Sequence, residues 1–340
     1  MSTHRVAQVT ESGGRFEIVE REVPEPGPRH VRITVEACGV CHSDALFVNA
    51  AVPGIRFPVV PGHEIAGRID ELGEGTDDIW QVGDRVAVGW FGGSCGHCTP
   101  CRQGDFISCV NLKVPGWAYD GGFAEKVIAP EDALARIPDA LAAPDAAPLA
   151  CAGITVFNGL RRSSARPGDL VAVLGIGGLG HLGVRYATAM GFETVAIARG
   201  ADKADFAKQL GAHHYIDSTA DTSVAQALQS LGGARVVLAT AANSDAITAT
   251  LEGLGHRGEL VVLGAAAEPM RISPAQLIMG GRVVRGHASG TSQDTEDTMA
   301  FSALHGIRPM IEPVPLDQAD AAYRRMMSGA ARFRMVLTMP

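Results

Sequence analysis

Over roughly the first 150 positions, apolar side chains recur every second residue, in short runs that end at glycine or proline. From His30 to Val40, Val31, Ile33 and Val35 fall on one side and Arg32, Thr34 and Glu36 on the other. This is the period of a half-buried strand. Pro24, Pro26 and Pro28 give it an extended lead-in. A loop rich in proline and small apolar residues follows from Asn49 to Pro61. Gly62–Gly67, Gly83–Val88 and Gly121–Val127 each read as a turn opening a further strand. After Pro148 the pattern changes. Leu170–Leu174 is a short, wholly apolar strand, followed by a glycine run and a helical pattern to Met190. Thr194–Ala198, His213–Ile216, Arg235–Ala239 and Glu259–Leu263 repeat the apolar strand, with helical stretches such as Asp202–Leu210 between them. Buried strands alternating with helices predict a parallel, doubly wound sheet. In the last fifty or so residues the alternation stops, and this stretch is expected to return to the first domain. The expected fold class is α/β: a β-rich domain over 1–150, a doubly wound domain over 151–286, and a return over 287–340.

Composition narrows the function. The 340 residues suffice for two domains with sizeable cores. The net charge of −8 argues against a nucleic-acid partner, which needs concentrated Lys and Arg. No stretch approaches the roughly 18 consecutive apolar residues of a membrane span. The polar N-terminus shows no signal core, so a cytoplasmic location without membrane partners is expected. There, clustered cysteines are metal ligands more often than disulfides.

Cys95, Cys98, Cys101 and Cys109 place four of the seven cysteines within fifteen residues. This spacing suits one tetrahedral Zn²⁺ held by four thiolates, a closed site that braces structure and does no chemistry. Cysteines that merely pack rarely recur so regularly. Of the remaining three, Cys41 and Cys151 together with His63 supply two thiolates and an imidazole, the set for a catalytic zinc with an open position. On spacing alone, Cys38 could stand in for Cys41. Gly175-x-Gly177-Gly178-Leu179-Gly180 lies between an apolar strand and a helix, the setting of a pyrophosphate-binding turn at a helix N-terminus. The next strand ends at Ala198 and Arg199, with Lys203 nearby. An acidic residue there would bind the ribose 2′-OH of NAD. A guanidinium suits the 2′-phosphate of NADP, which is therefore favoured.

With these residues the chain resembles the zinc-dependent medium-chain alcohol dehydrogenases over essentially its whole length. Gly62-His63-Glu64-x-x-Gly67-x₅-Gly73 is similar to the family's zinc signature, the four-cysteine stretch (about 90–112) to its structural-zinc lobe, and Cys151-Ala152-Gly153-Ile154-Thr155 to the segment carrying the third catalytic ligand. The resemblance selects Cys41 over Cys38. It implies a GroES-like catalytic domain joined to a Rossmann domain, two zinc ions per chain, a small alcohol or aldehyde substrate in a cleft between the domains, and a homotetramer or homodimer. By position, Ser43 would accept the substrate proton, Asp44 would orient His63, and Glu64 would lie behind the zinc and ligate it transiently. His42 and Arg334 would hold the pyrophosphate, and Thr155 would pack by the nicotinamide. Two departures stand out. Leu46 occupies the place of a relay histidine. The Ala50-Ala51 region lacks the pocket tryptophan of the yeast-like branch, while Trp90 retains the other pocket aromatic, so one pocket wall is expected to be open at Ala51. The implied activity is hydride transfer between an alcohol and NAD(P), or the reverse as an aldehyde reductase. Cinnamyl-type, polyol and formaldehyde dehydrogenases are alternatives, as is a nucleotide-binding module without catalysis.

Overall fold

Alternation along His30–Gly39 is what makes that strand the hub of its sheet. Val31, Ile33 and Val35 are buried on one face, while the polar residues between them are half-exposed. The computed structural model of the protein describes residues 2–340. The chain opens with the antiparallel pair β1 (Thr3–Gln8) and β2 (Glu17–Glu22), then β3 (His30–Gly39). A five-residue helix α1 (Asp44–Val48) follows, then β4 (Ile65–Leu72) and β5 (Arg85–Val88). A short helix α2 (Thr99–Arg102) lies inside the four-cysteine stretch, ahead of β6 (Lys126–Pro130) and β7 (Ala135–Arg136). Next comes α3 (Ala143–Pro148), then one π-helical turn over Leu149–Gly153, then α4 (Ile154–Arg161).

The second block alternates strand and helix. It contains β8 (Leu170–Leu174), α5 (Gly180–Ala189), β9 (Glu193–Ala198), a 3₁₀ turn over Ala201–Lys203, α6 (Ala204–Gln209), β10 (His214–Asp217), β11 (Ala234–Ala239), β12 (Leu254–Val262) and β13 (Val283–Gly286). All six strands pair in parallel, in the order β10-β9-β8-β11-β12-β13. This is the doubly wound order in which the first strand, β8, sits at the centre and the chain reverses direction across the sheet beside it. Every residue of β8 is buried, as a strand covered on both faces must be. The helix expected over Asp202–Leu210 begins as the 3₁₀ turn, and the strand expected at Glu259 begins at Leu254. An irregularity in the β11–β12 register, between Ala234 and Val236, interrupts the pattern there.

After residue 288 the chain rejoins the first sheet through β14 (Ile311–Pro315) and β15 (Arg334–Thr338). The seven-stranded sheet runs β14-β15-β3-β4-β5-β7, with β6 also on β3. Thus β3 pairs with β15 at its C-terminal end, with β6 at its N-terminal end and with β4 along its length. Two compact units result. One comprises the chain up to Ile154 together with Ser289–Pro340, the other Thr155–Ala288. Each has its own apolar core. Among the described residues, no helix is long and apolar enough to cross a membrane.

Candidate active site and its two metal-ligand clusters

The C-terminal end of β3 delivers the first ligand candidate. The strand stops at Gly39, and Cys41 lies on the turn into α1. Asp44, at the start of α1, is fully buried. Its two oxygens accept the Cys41 backbone N–H at 2.8 Å and the His63 Nδ1–H at 2.9 Å. One carboxylate therefore pins both candidates and leaves the Nε2 lone pair of His63 outward. That Nε2 is buried and has no hydrogen-bond partner. Cys151 is carried by the π-helical turn, the kind of irregular turn that recurs at functional sites. The ligand atoms of Cys41, His63, Glu64 and Cys151 all lie within 4.8 Å of one another, and all four residues are buried. Cys38 lies outside this set, buried and packed near Gly62 and Gly122.

The groups of this cluster are electrostatically coupled. The contact with Cys151 holds the Cys41 thiol well below its ordinary value, helped by Arg334 and His63. The same contact, with burial, drives Cys151 well above its own. Two thiolates side by side in the interior repel unless a positive charge joins them. Burial by itself would push His63 down, but the Asp44 carboxylate outweighs it and holds the imidazole well up. Glu64 is pushed up to about 8 by burial, against the pull of Arg334. Arg334 Nη2 lies 3.1 Å from Glu64 Oε1, yet neither Glu64 oxygen has an aligned donor. Gly39 makes room for this carboxylate: a Cβ there would stand 1.9 Å from Glu64 Oε2. A buried imidazole nitrogen without a partner beside two sulfurs and a carboxylate fits a zinc ion.

The second cluster is built from one short segment. Its sulfurs stand 3.4 Å (Cys98–Cys101), 3.8 Å (Cys98–Cys109) and 3.6 Å (Cys95–Cys109) apart, and all are free of disulfides. Four sulfurs about 2.3 Å from one Zn²⁺ would stand roughly 3.8 Å apart in a tetrahedron. Backbone N–H groups of Cys95 and Asn111 point at the Cys109 sulfur. Backbone N–H groups, that of His97 foremost, lower Cys95 to about 5, whereas burial and the neighbouring sulfurs raise Cys101 to about 12. Such a set is stable as four thiolates only around a cation.

The remaining candidates are divided between the two units. Ser43 is half-buried, and its side chain makes no cap to α1, so its hydroxyl is available; His42 is exposed. Arg334 is buried against Glu64 in the first unit. In the second unit, Gly175 takes φ +92° at the end of β8, and α5 starts at Gly180 after Gly177, Gly178 and Leu179. A Cβ on Gly180 would stand 1.8 Å from the Gly175 carbonyl, so only glycine lets α5 begin this close to the strand. Thr155 is half-buried on α4; Ala198 ends β9, with Arg199 and Lys203 exposed beyond it.

Trp90 packs edge-on against the His63 ring at 5.1 Å. Ala51 is exposed, on a turn held by its N–H to the Leu46 carbonyl. Aromatic side chains from elsewhere in the chain pack near this region. Trp117 comes from a distant turn and donates its indole N–H to the Pro53 carbonyl at 2.9 Å. Phe47, fully buried, stacks on Trp90 at 6.0 Å and on Trp117 at 6.5 Å. No local pattern around residue 51 signals this, because the aromatic arrives through tertiary packing. A surface cavity of about 450 Å³ beside Trp117 contains none of the metal-ligand candidates.

Comparisons with known proteins agree with this geometry. Residues 27–139 match the family "Alcohol dehydrogenase GroES-like domain", and residues 178–303 match "Zinc-binding dehydrogenase". The chain is 42% identical over 338 residues to alcohol dehydrogenase patD of Penicillium expansum, covering 99% of this chain and 98% of that one. A cinnamyl alcohol dehydrogenase structure from Sorghum bicolor superposes with a TM-score of 0.90 at 30% identity, over 99% of this chain and 98% of that one. A Helicobacter pylori CAD structure complexed with NADP(H) gives 0.87 at 28% identity, over 99% and 98%. The chain belongs to the zinc-type medium-chain alcohol dehydrogenases, oxidoreductases that act on CH–OH groups, with a GroES-like and a Rossmann-type domain.

Proposed function

We propose that Cys41, His63 and Cys151 hold a catalytic zinc, with Glu64 as a buried fourth group available during ligand exchange, and that Cys95, Cys98, Cys101 and Cys109 hold a second, structural zinc. The observation that carries this reading is the unpartnered His63 Nε2, buried within 4.8 Å of two sulfurs and a carboxylate oxygen. When bound, the zinc supplies Lewis acidity that polarises the substrate oxygen and lowers its pKa. The nicotinamide supplies the hydride acceptor or donor. Asp44 keeps His63 in the tautomer that offers Nε2. The Ser43 hydroxyl takes the alcohol proton as the carbon–hydrogen bond gives its electron pair to the oxidised cofactor, and returns a proton to the oxygen in reduction. Leu46, 37% exposed, cannot carry that proton onward, so it leaves through Ser43 to the cofactor ribose or to water. Trp90, with Trp117 behind Phe47, gives the pocket an aromatic lining.

On the cofactor side, Gly175, Gly177, Gly178, Leu179 and Gly180 form the pyrophosphate turn, with His42 and Arg334 as further pyrophosphate contacts and Thr155 as the nicotinamide contact. NADP(H) is favoured over NAD(H), because the strand ends in Ala198 and Arg199, with Lys203 nearby, where a carboxylate would be expected to bind the ribose of NAD. A homodimer or homotetramer is supported by β13, an outer strand, where Val283 is 50% exposed and Ile278 and Met279 just before it are still more exposed. A cytoplasmic setting suits the seven reduced cysteines. The test combines zinc content with turnover. The protein should carry about two zinc ions per chain. Cys41→Ala and His63→Ala should each lose one zinc and all turnover across a panel of alcohols and aldehydes, with the fold retained. Turnover retained without the catalytic zinc overturns the reading.

A further inference from the structure

The turn after β9, where NADP(H) preference was placed, is held by side chains from the neighbouring strand. Gly200 has φ +89° and ψ 135°, a conformation that essentially only glycine adopts, and a Cβ there would stand 2.4 Å from Asp202 Oδ1. Both polar groups of this residue are engaged by β10. Its N–H donates to Asp217 Oδ1 at 2.8 Å, and its carbonyl accepts the Tyr215 hydroxyl at 2.6 Å. The same hydroxyl lies 3.3 Å from the Ala198 carbonyl. The strand pairing that carries these side chains is regular, with Asp217 opposite Ala198 and the Ser218 N–H on the Ala198 carbonyl at 2.9 Å. Asp217 Oδ1 also accepts the Thr219 hydroxyl at 2.7 Å and its backbone N–H at 2.9 Å. Three donors thus converge on this one oxygen. On the other side of the turn, Lys203 Nζ donates to the Arg199 carbonyl at 2.7 Å. The Arg199 guanidinium is exposed and makes no ion pair among the described residues.

We propose that Tyr215 and Asp217 are positioning residues for cofactor choice. By fixing both ends of the Gly200 peptide unit, they hold the Arg199 and Lys203 cations on one short arc at the end of β9, ready for a ribose 2′-phosphate. They touch no part of the cofactor themselves. This inference rests on the NADP(H) reading above. Without the clamp the turn explores other conformations, and the cations must be ordered when the phosphate binds, which weakens NADPH and leaves NADH alone.

The test measures NADPH and NADH dissociation constants by nicotinamide fluorescence, on the full chain with its zinc, for the parent, Arg199→Ala, Tyr215→Phe, Asp217→Ala and the double variant Arg199→Ala/Tyr215→Phe. Arg199→Ala should weaken NADPH at least roughly tenfold and leave NADH unchanged. Tyr215→Phe removes one hydroxyl and no charge, so it should weaken NADPH roughly three- to tenfold, again with NADH unchanged. In the Arg199→Ala background the Tyr215→Phe effect should shrink to the share carried by Lys203, because the hydroxyl acts on the phosphate only through these two cations. If Arg199→Ala leaves NADPH binding unchanged, the NADP(H) reading itself falls. If Arg199→Ala weakens NADPH but Tyr215→Phe and Asp217→Ala either leave it unchanged or weaken both cofactors equally, the positioning role is overturned.

Discussion

Asp44→Asn is the sharpest test of how the proposed catalytic metal site is held. The parent carboxylate is fully buried and offers two acceptor oxygens to two donors, the Cys41 backbone N–H at 2.8 Å and the His63 Nδ1–H at 2.9 Å. Asparagine has the same shape but only one acceptor, its other arm being an NH₂. Whichever way the amide turns, one buried donor meets another donor. An unsatisfied buried donor costs about 1–3 kcal/mol. If the carbonyl stays on Cys41, His63 loses its anchor and tautomer, and loss of such a partner lowers metal affinity about 10- to 100-fold. That ratio is about 1.4–2.7 kcal/mol, the same range reached from the hydrogen bonds alone. The assay is equilibrium competition for zinc against a chelator of known affinity, with the four-cysteine site as an internal control. Zinc should leave the Cys41–His63–Cys151 site at 10- to 100-fold lower chelator concentration, the lobe should keep its zinc, and turnover should fall with occupancy. Catalytic-zinc affinity within twofold of the parent, in a protein whose lobe is intact, would refute the argument that Asp44 pre-sets His63.

Three further predictions follow from the same structure. Ser43→Ala should lower kcat roughly a hundredfold, with zinc content and cofactor binding unchanged; steady-state kinetics with metal analysis check it. Cys101→Ser should empty the four-sulfur site, taking zinc from about two per chain to one and lowering the thermal midpoint, while kcat per remaining zinc is retained; calorimetry and turnover separate the two effects. Asp70 is pushed up by burial, but bonds from Lys126, Arg32 and Thr34 outweigh this and hold it below the ordinary 3.8. A carboxylate depressed in the folded state stabilises fully above its unfolded value and loses that contribution as pH falls through the folded value. Asp70→Asn should therefore cost about 1–2 kcal/mol at neutral pH and flatten the loss of stability below about pH 4, as measured by urea unfolding at a series of pH values.

What could be read from the sequence is what short-range chemistry encodes. Alternation in His30–Val40 marks a strand with one buried face, and a wholly apolar Leu170–Leu174 marks one covered on both. The glycine run between that strand and its helix marks a tight strand-to-helix turn, because strand, turn and helix are contiguous. Four cysteines within fifteen residues bring their own sulfurs together, so this grouping was visible before any fold was known. The Cys41, His63 and Cys151 grouping needed a family resemblance to choose Cys41 over Cys38, since nothing local distinguishes two cysteines three residues apart. Tertiary structure decided the rest. Packing alone brings Arg334, from the start of the last strand, onto Glu64. It carries Trp117 to a loop whose own sequence holds no tryptophan, and sets Tyr215 and Asp217 on the Gly200 turn across a strand pair. The first two contacts join segments far apart in the chain and the third crosses a strand pair, with no spacing rule to announce them. Each depends on where a sheet edge, a helix start or a turn lies in space, which the register of the two sheets sets.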